Sequence, residues 1–254
     1  MERALLFICL TLSTSFTFSQ WTWQNPLPQG NSLSSVSFTD ANTCVAVGLC
    51  GTILKSVNDG STWTELPSGT INDLYSVSFP DGNTGYAAGS FGTILKTING
   101  GATWTPLPGG ITVLLYSVFF TDINTGYVAG AGGTILATID GGATWTVDSS
   151  GTMNDLFSIS FPEANTGYVA GEGGTILKTS NKGKNWTALS SGTTDFFKSV
   201  YFTNAENGLV VGEVGTIVKT DDGGVSWTID SSGTYNLLNS GLSFSIPVLK
   251  SINY

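Results

Sequence analysis

The chain has 254 residues, 41% of them hydrophobic and 11% charged, with 33 glycines and a formal net charge of -9 at neutral pH. That composition argues against a disordered chain, which lacks apolar material for a core, and a collagenous one, whose glycine period is missing. The acidic balance argues against nucleic acid and anionic lipid surfaces as partners, because both repel it.

Met1-Glu2-Arg3 leads into an apolar run, Ala4 to Leu12, and then a small, polar stretch ending Thr17-Phe18-Ser19-Gln20. This order predicts a secretory signal over residues 1–19, cut after Ser19. The run is short for a spanning helix, so an uncleaved anchor is the lesser reading. Cys9 lacks the small-residue context of a lipoprotein cysteine. The expected protein is secreted, on the cell surface or periplasmic, with no stable membrane insertion after cleavage and a single domain over residues 20–254.

From Gln20 onward a single period governs the chain. Trp63, Trp104, Trp145, Trp186 and Trp227 each lie 41 residues apart, and Trp23 precedes Trp63 by 40. Around each of the five lies an octet, such as TINGGATW at Thr97 to Trp104 or TIDGGATW at Thr138 to Trp145. Within a repeat, typified by Leu74 to Leu107, four short strands are predicted. LYSVSF alternates apolar with small or polar residues, followed by the turn PDGNT, the strand GYAAG, the turn SFG, the strand TILKT, the octet's turn NGGA and the strand TWTPL. One such sheet cannot bury both its faces, so neighbours must supply the core. The expected fold is all-β, a β-propeller of four-stranded antiparallel blades.

The octet reads as scaffold. Its third place, Asn58, Asn99, Asp140, Asn181 and Asp222, is expected to bond backbone amides and hold the turn between the third and fourth strands. The glycine two places on, Gly60, Gly101, Gly142, Gly183 and Gly224, permits a positive φ. The tryptophan is expected to begin the fourth strand and pack between sheets, where burying about 200 Å² outweighs a turn hydrogen bond.

The pattern S/T-x-D/N-x-G-x-T/S-W resembles the Asp-box, or bacterial neuraminidase repeat, of sialidases and sortilin-type receptors. The whole unit, as in LFSISFPEANTGYVAGEGGTILKTSNKGKNW from Leu156 to Trp186, resembles the photosystem II assembly and stability factor family and its relatives in exported bacterial proteins. The resemblance covers about Trp23 to Trp227. It implies a β-propeller and an assembly-type role with a protein partner. In the photosystem factors that role is tied to an arginine-bearing face, whereas the sole arginine here is Arg3.

The same shortage weighs against sialidase chemistry, which needs an arginine cluster for the substrate carboxylate. With no histidine in the chain, histidine bases and zinc-histidine sites are also excluded. Glu172 and Glu213 occupy equivalent turn positions, where the preceding repeats have Ser90 and Ala131, and paired acids can cleave glycosides. They are read as solvated turn carboxylates facing one rim. Asp73, Asp155 and Asp195 are read as turn residues at the start of first strands rather than calcium ligands. Lys55, Lys96, Lys178 and Lys219 recur on the third strand, with Ala137 as the exception, and are read as solvated. No catalytic, cofactor-binding or metal-binding residue is predicted, and the chain is expected to be non-enzymatic.

Cys44 replaces a glycine recurring at Gly85, Gly126 and Gly167. Cys50 stands in a turn position held by Phe91, Gly132, Gly173 and Val214. One cysteine opens a strand and the other follows its end, so two unbridged thiols are expected. Phe91 and Tyr235 are the aromatic candidates for a rim site, either for a protein partner or for an extracellular glycan. After Trp227 the repeat begins again, as TYNLLNSGLSF beside TTDFFKSVYF, but loses its second strand, while QWTWQNPLP at Gln20 to Pro28 offers a spare fourth strand. Six blades are therefore expected, the last incomplete or closed by the N-terminal strand; a truncated longer array is the alternative.

Overall fold

The computed structural model describes residues 30–233 and Leu238. The first sheet comprises β1 (Leu33–Phe38), β2 (Cys44–Gly48), β3 (Ile53–Ser56) and β4 (Thr64–Leu66). The second comprises β5 (Leu74–Ser78), β6 (Gly85–Gly89), β7 (Ile94–Thr97) and β8 (Thr105–Leu107). The third has β9 (Leu115–Phe120), β10 (Gly126–Gly130), β11 (Ile135–Thr138) and β12 (Thr146–Asp148). The fourth has β13 (Leu156–Ser160), β14 (Gly167–Gly171), β15 (Ile176–Thr179) and β16 (Thr187–Leu189). The fifth has β17 (Phe197–Phe202), β18 (Gly208–Gly212), β19 (Thr216–Thr220) and β20 (Thr228–Ser231).

Each sheet is an antiparallel meander with its strands in sequence order, and the first strands of successive sheets lie against one another. The first strands therefore ring the axis of a β-propeller, with the short fourth strands outermost. The second strand of each of the first four blades is buried throughout, which is why CVAVG, GYAAG and GYVAG read as small apolar runs rather than alternating ones. Trp23, the signal expected over residues 1–19, the strand expected within Gln20 to Pro28, Tyr235 and the rest of the expected sixth blade lie outside the described residues. Leu238, which aligns with Phe197, donates its N–H to Gly212 O at 2.9 Å.

Between successive blades lies one core each. The second of these joins Tyr86, Ala88 and Ile94 of one blade to Leu115, Val118, Phe120, Val128 and Leu136 of the next. A ring stack crosses three interfaces: Tyr86 on Phe120, Tyr127 on Phe161 and Tyr168 on Phe202, with centroids 3.4, 4.0 and 3.5 Å apart. Within its own blade each of these phenylalanines meets the octet tryptophan edge-on at about 6 Å. A Cβ at Gly126 would lie 2.4 Å from the Phe120 ring, so the second strand opens with glycine wherever the phenylalanine is tucked in. In the first blade, where Cys44 replaces that glycine, Phe38 is 37% exposed. Cys44 is buried, Cys50 is exposed, and both thiols are free.

The tryptophans differ from expectation in two respects. The fourth strand starts one residue after each of them, and Trp104 is buried whereas Trp63, Trp145, Trp186 and Trp227 are half-buried. The octet leads into the short outermost strand, so an edge of each of these last four indoles reaches solvent.

The lysine ladder requires a correction. Lys55, Lys96 and Lys178 are not simply solvated: their Nζ atoms donate to Gly100 O, Gly141 O and Gly223 O of the following blade, at 2.7 to 2.8 Å. They staple each third strand to the next octet. The Tyr86 and Tyr168 hydroxyls donate to Ile123 O and Ala205 O at 3.0 and 2.7 Å and stand 3.2 Å from the same Gly141 and Gly223 carbonyls, and where Ala137 removes the lysine, Tyr127 donates alone to Lys182 O at 3.1 Å. Lys219 instead pairs with Asp230 on its own sheet at 2.7 Å.

Candidate functional site

Connections in a meander alternate between the two ends of the sheet, so the propeller has two chemically distinct rims. One carries the octets and the turns between first and second strands. These are tied together by backbone bonds such as Gly100 N–H to Asn83 O at 2.8 Å. Asn99 Oδ1 accepts from Thr103 N–H at 2.9 Å, as expected for the octet's third place. Its first place, which the sequence reading passed over, is equally engaged: buried Thr97 Oγ1 donates to Asn99 Oδ1 at 2.9 Å and accepts from Gly101 N–H at 3.0 Å. Asn58, Asp140, Asn181 and Asp222 repeat the arrangement with Ser56, Thr138, Thr179 and Thr220. Gly101 has φ +85°, and Gly142 would set a Cβ 2.6 Å from Leu107 of the preceding blade. Gly60, Gly183 and Gly224 share the positive φ. The octet residues thus belong to turns and blade contacts, at the rim opposite the candidate site.

The other rim is built by a bulge. In every first strand the register slips by one residue at the same place, leaving Ser34, Tyr75, Phe157 and Lys198 as the extra residue in four blades. Tyr116 is the equivalent in β9, between Leu115 paired with Gly130 and Ser117 paired with Ala129. A bulge bends its strand and re-aims the unpaired side chain. It also presses the chain onto the end of the second strand, where a Cβ at Gly89 would lie 1.9 Å from Asp73 O and one at Gly171 2.1 Å from Asp155 O. This corrects the simple alternation read into LYSVSF.

The re-aimed side chains form a rail around the axis. The rings of Tyr75 and Tyr116 are 6.0 Å apart, those of Tyr116 and Phe157 are 5.1 Å apart, and Lys198 Nζ stands 4.0 Å from the Phe157 centroid. Carboxylates border the rings. Asp155 Oδ2 accepts from the Tyr116 hydroxyl at 3.0 Å while its Oδ1 accepts from Gly132 N–H at 2.9 Å. Glu172 Oε2 accepts from Asp155 N–H at 3.4 Å, and Glu213 pairs with Lys198 at 3.1 Å. Burial first, and then the bond to Asp155 and the charge of Asp155 and Glu172, push the Tyr116 hydroxyl up to about 12, so it remains a donor at physiological pH.

The three-residue turns between second and third strands stand on this same rim. Their central residue is left-handed in every blade, and Cys50, Phe91 and Val214 hold that conformation at φ 54°, 55° and 57° without being glycine. Phe91 is also 71% exposed, as a rim candidate requires. Asp73 Oδ1 accepts from Cys50 N–H at 2.8 Å, and Asp195 from the Thr216 hydroxyl, so these residues fasten first strands to turns. Among the described residues no three Cys, Asp or Glu side chains gather in a way that can hold a metal ion, and no helix is long and apolar enough to cross a membrane. The rail escaped the sequence reading because a bulge is invisible in a pattern of strand alternation. Its signal was the residue after the first leucine of each repeat, aromatic in three successive units.

The sequence model of the family described as photosynthesis system II assembly factor YCF48 matches residues 13–112 and 100–195. No curated protein matches the chain in sequence. Among solved structures, YCF48 from Cyanidioschyzon merolae is 17% identical with a TM-score of 0.50, over 81% of this chain and 86% of its own. An ancestral GH74 enzyme is 17% identical at TM-score 0.69, over 82% of this chain and 32% of its own. The GH74 enzyme of Niastella koreensis is 21% identical at 0.65, over 79% and 38%. At such identities these likenesses concern the fold, and this chain spans 32% of one GH74 enzyme and 38% of the other.

Proposed function

Since the chain belongs to the photosynthesis system II assembly factor YCF48 family, we propose that it is an exported, non-enzymatic β-propeller that holds a protein partner on the rim bearing the aromatic rail. Export rests on the signal pattern of residues 1–19, which leaves residues 20–254 as one propeller domain. The observation that carries the reading is the series Tyr75, Tyr116 and Phe157 at a bulge position where Ser34 and Lys198 serve the scaffold equally well. The blade does not require a ring there, so three in succession favour recognition. The family's photosystem II role is not carried over to this chain, whose single arginine, Arg3, lies in the signal.

A second reading, extracellular glycan binding, is favoured by the ring of Tyr116 beside Asp155 and Glu172, because sugar sites combine aromatic faces with carboxylates. Affinity capture from the organism's own cell-envelope extract, with residues 20–254 as bait, separates the two. A stoichiometric protein that is lost when Tyr75 and Tyr116 are both changed to alanine supports the first reading. Polysaccharide alone supports the second, and a protein retained equally by the double variant removes the rail from the function. N-terminal sequencing of the envelope protein tests export, with Gln20 expected as the first residue.

A further inference from the structure

The rail already holds one cation of its own chain. Lys198 Nζ lies 4.0 Å from the Phe157 centroid and 5.5 Å from that of Phe196, and is closed off by Glu213 at 3.1 Å. One blade back, the same parts recur around Tyr116: a ring on the bulge, with Asp155 and Glu172 beside it. A further blade back, Tyr75 follows Asp73. The other lysines among the described residues are committed elsewhere. Lys55, Lys96 and Lys178 bond octet carbonyls, Lys182 and Lys184 lie in an octet at the opposite rim, and Lys219 pairs with Asp230.

We propose that the rail from Tyr75 to Phe157 is a docking surface for an extended basic segment of a partner protein, with arginine or lysine side chains lying over Tyr75 and Tyr116 as Lys198 lies over Phe157. Cations are drawn to ring faces within about 6 Å, and bordering carboxylates add to the attraction. The ring spacing of 5.1 to 6.0 Å is close to the roughly 6.8 Å between alternate residues of an extended chain, so every second side chain of such a segment can meet a ring. The chain's net charge of -9 steers a basic segment toward it. This inference rests on the protein-binding reading above and specifies the chemistry of the partner.

The test is fluorescence anisotropy of the full chain with two labelled eight-residue peptides, one alternating arginine with serine and the other glutamate with serine. The arginine peptide is expected to bind and the glutamate peptide is not. Tyr116→Leu and Tyr75→Leu, each checked for an unchanged melting temperature, are expected to weaken binding about tenfold, whereas Tyr116→Phe keeps the ring and the affinity. Lys198→Met frees the face of Phe157 and removes a positive charge, and is expected to tighten binding about threefold or more. Equal binding to the Tyr116→Leu variant overturns the inference by reducing the effect to bulk charge, and weaker binding to Lys198→Met overturns it because removing a competing cation from the rail can then not be what the peptide gains from. If neither peptide binds while capture yields a partner dependent on Tyr75 and Tyr116, the basic-segment inference falls and the protein-binding reading stands.

Discussion

Thr97 and Asn99 between them close one octet turn, and the two aspartates at Asn99's place do so with a charge. Hydrogen bonds from the Thr144 side chain and backbone, and from Thr138, hold the Asp140 carboxyl at about 2; Ser226 and Thr220 do the same for Asp222. Both values lie below the ordinary 3.8, so these groups add stability that is complete above that value and is lost as pH falls through about 2. The Asp140→Asn, Asp222→Asn double variant, which copies the other three octets, is expected to unfold at nearly the same urea concentration at pH 7. Between pH 4 and pH 2 its midpoint should fall less than that of the parent. Phe91 presents the reverse case, a side chain 71% exposed on a backbone at φ 55°. Left-handed backbone disfavours a residue with a Cβ by about 1–2 kcal/mol, against which glycine loses about 0.5–1 kcal/mol of chain entropy. Phe91→Gly is therefore expected to raise stability by about 0.5–1 kcal/mol by chemical denaturation, and Phe91→Ala to leave it almost unchanged.

Among the elements, the interface between the third and fourth blades stands apart. Ala137 replaces the stapling lysine there, Phe119 takes the place that Ser78 has in the preceding blade, and Lys182 stands where Gly100, Gly141 and Gly223 stand elsewhere. Phe119 and Ala137 both pack against the core beneath, so a ring fills the space that a lysine stem covers in other blades. The carbonyl of Lys182 then has the Tyr127 hydroxyl as donor, while Gly223 O receives Lys178 and lies 3.2 Å from the Tyr168 hydroxyl. Tyr127→Phe and Tyr168→Phe should each destabilise by about 1 kcal/mol, because the first leaves the Lys182 carbonyl unserved and the second the Ala205 carbonyl, which the Tyr168 hydroxyl serves at 2.7 Å. Urea unfolding of the two variants beside the parent measures both losses.

At the scale of the whole molecule, every core is shared by two blades, so no blade among the described residues is a folding unit alone. Leu136→Ala, at a fully buried position, is expected to cost about 2–5 kcal/mol and to shift one cooperative transition downward instead of splitting it. Far-UV circular dichroism and tryptophan fluorescence, recorded on the same sample during heating, should give coincident midpoints. Two separated transitions would show that the blades fold independently.

The period of Trp63 to Trp227, the four strands per unit and the turn chemistry of Asn99 and Gly101 were all legible in the sequence, because each is set by residues within a few positions of one another. Repetition then dictated the propeller, since no single unit can bury both its faces. The lysine staples and the aromatic rail were not legible. Lys96 and Gly141 are 45 residues apart, and their bond exists once the blades have fixed their spacing. Tyr75, Tyr116 and Phe157 are separated by a full repeat each and come together because a bulge, made possible by a glycine such as Gly89, turns them toward the axis. Local chemistry determined the blade. The circular packing of blades decided which of its side chains meet, and so which surface is left to bind.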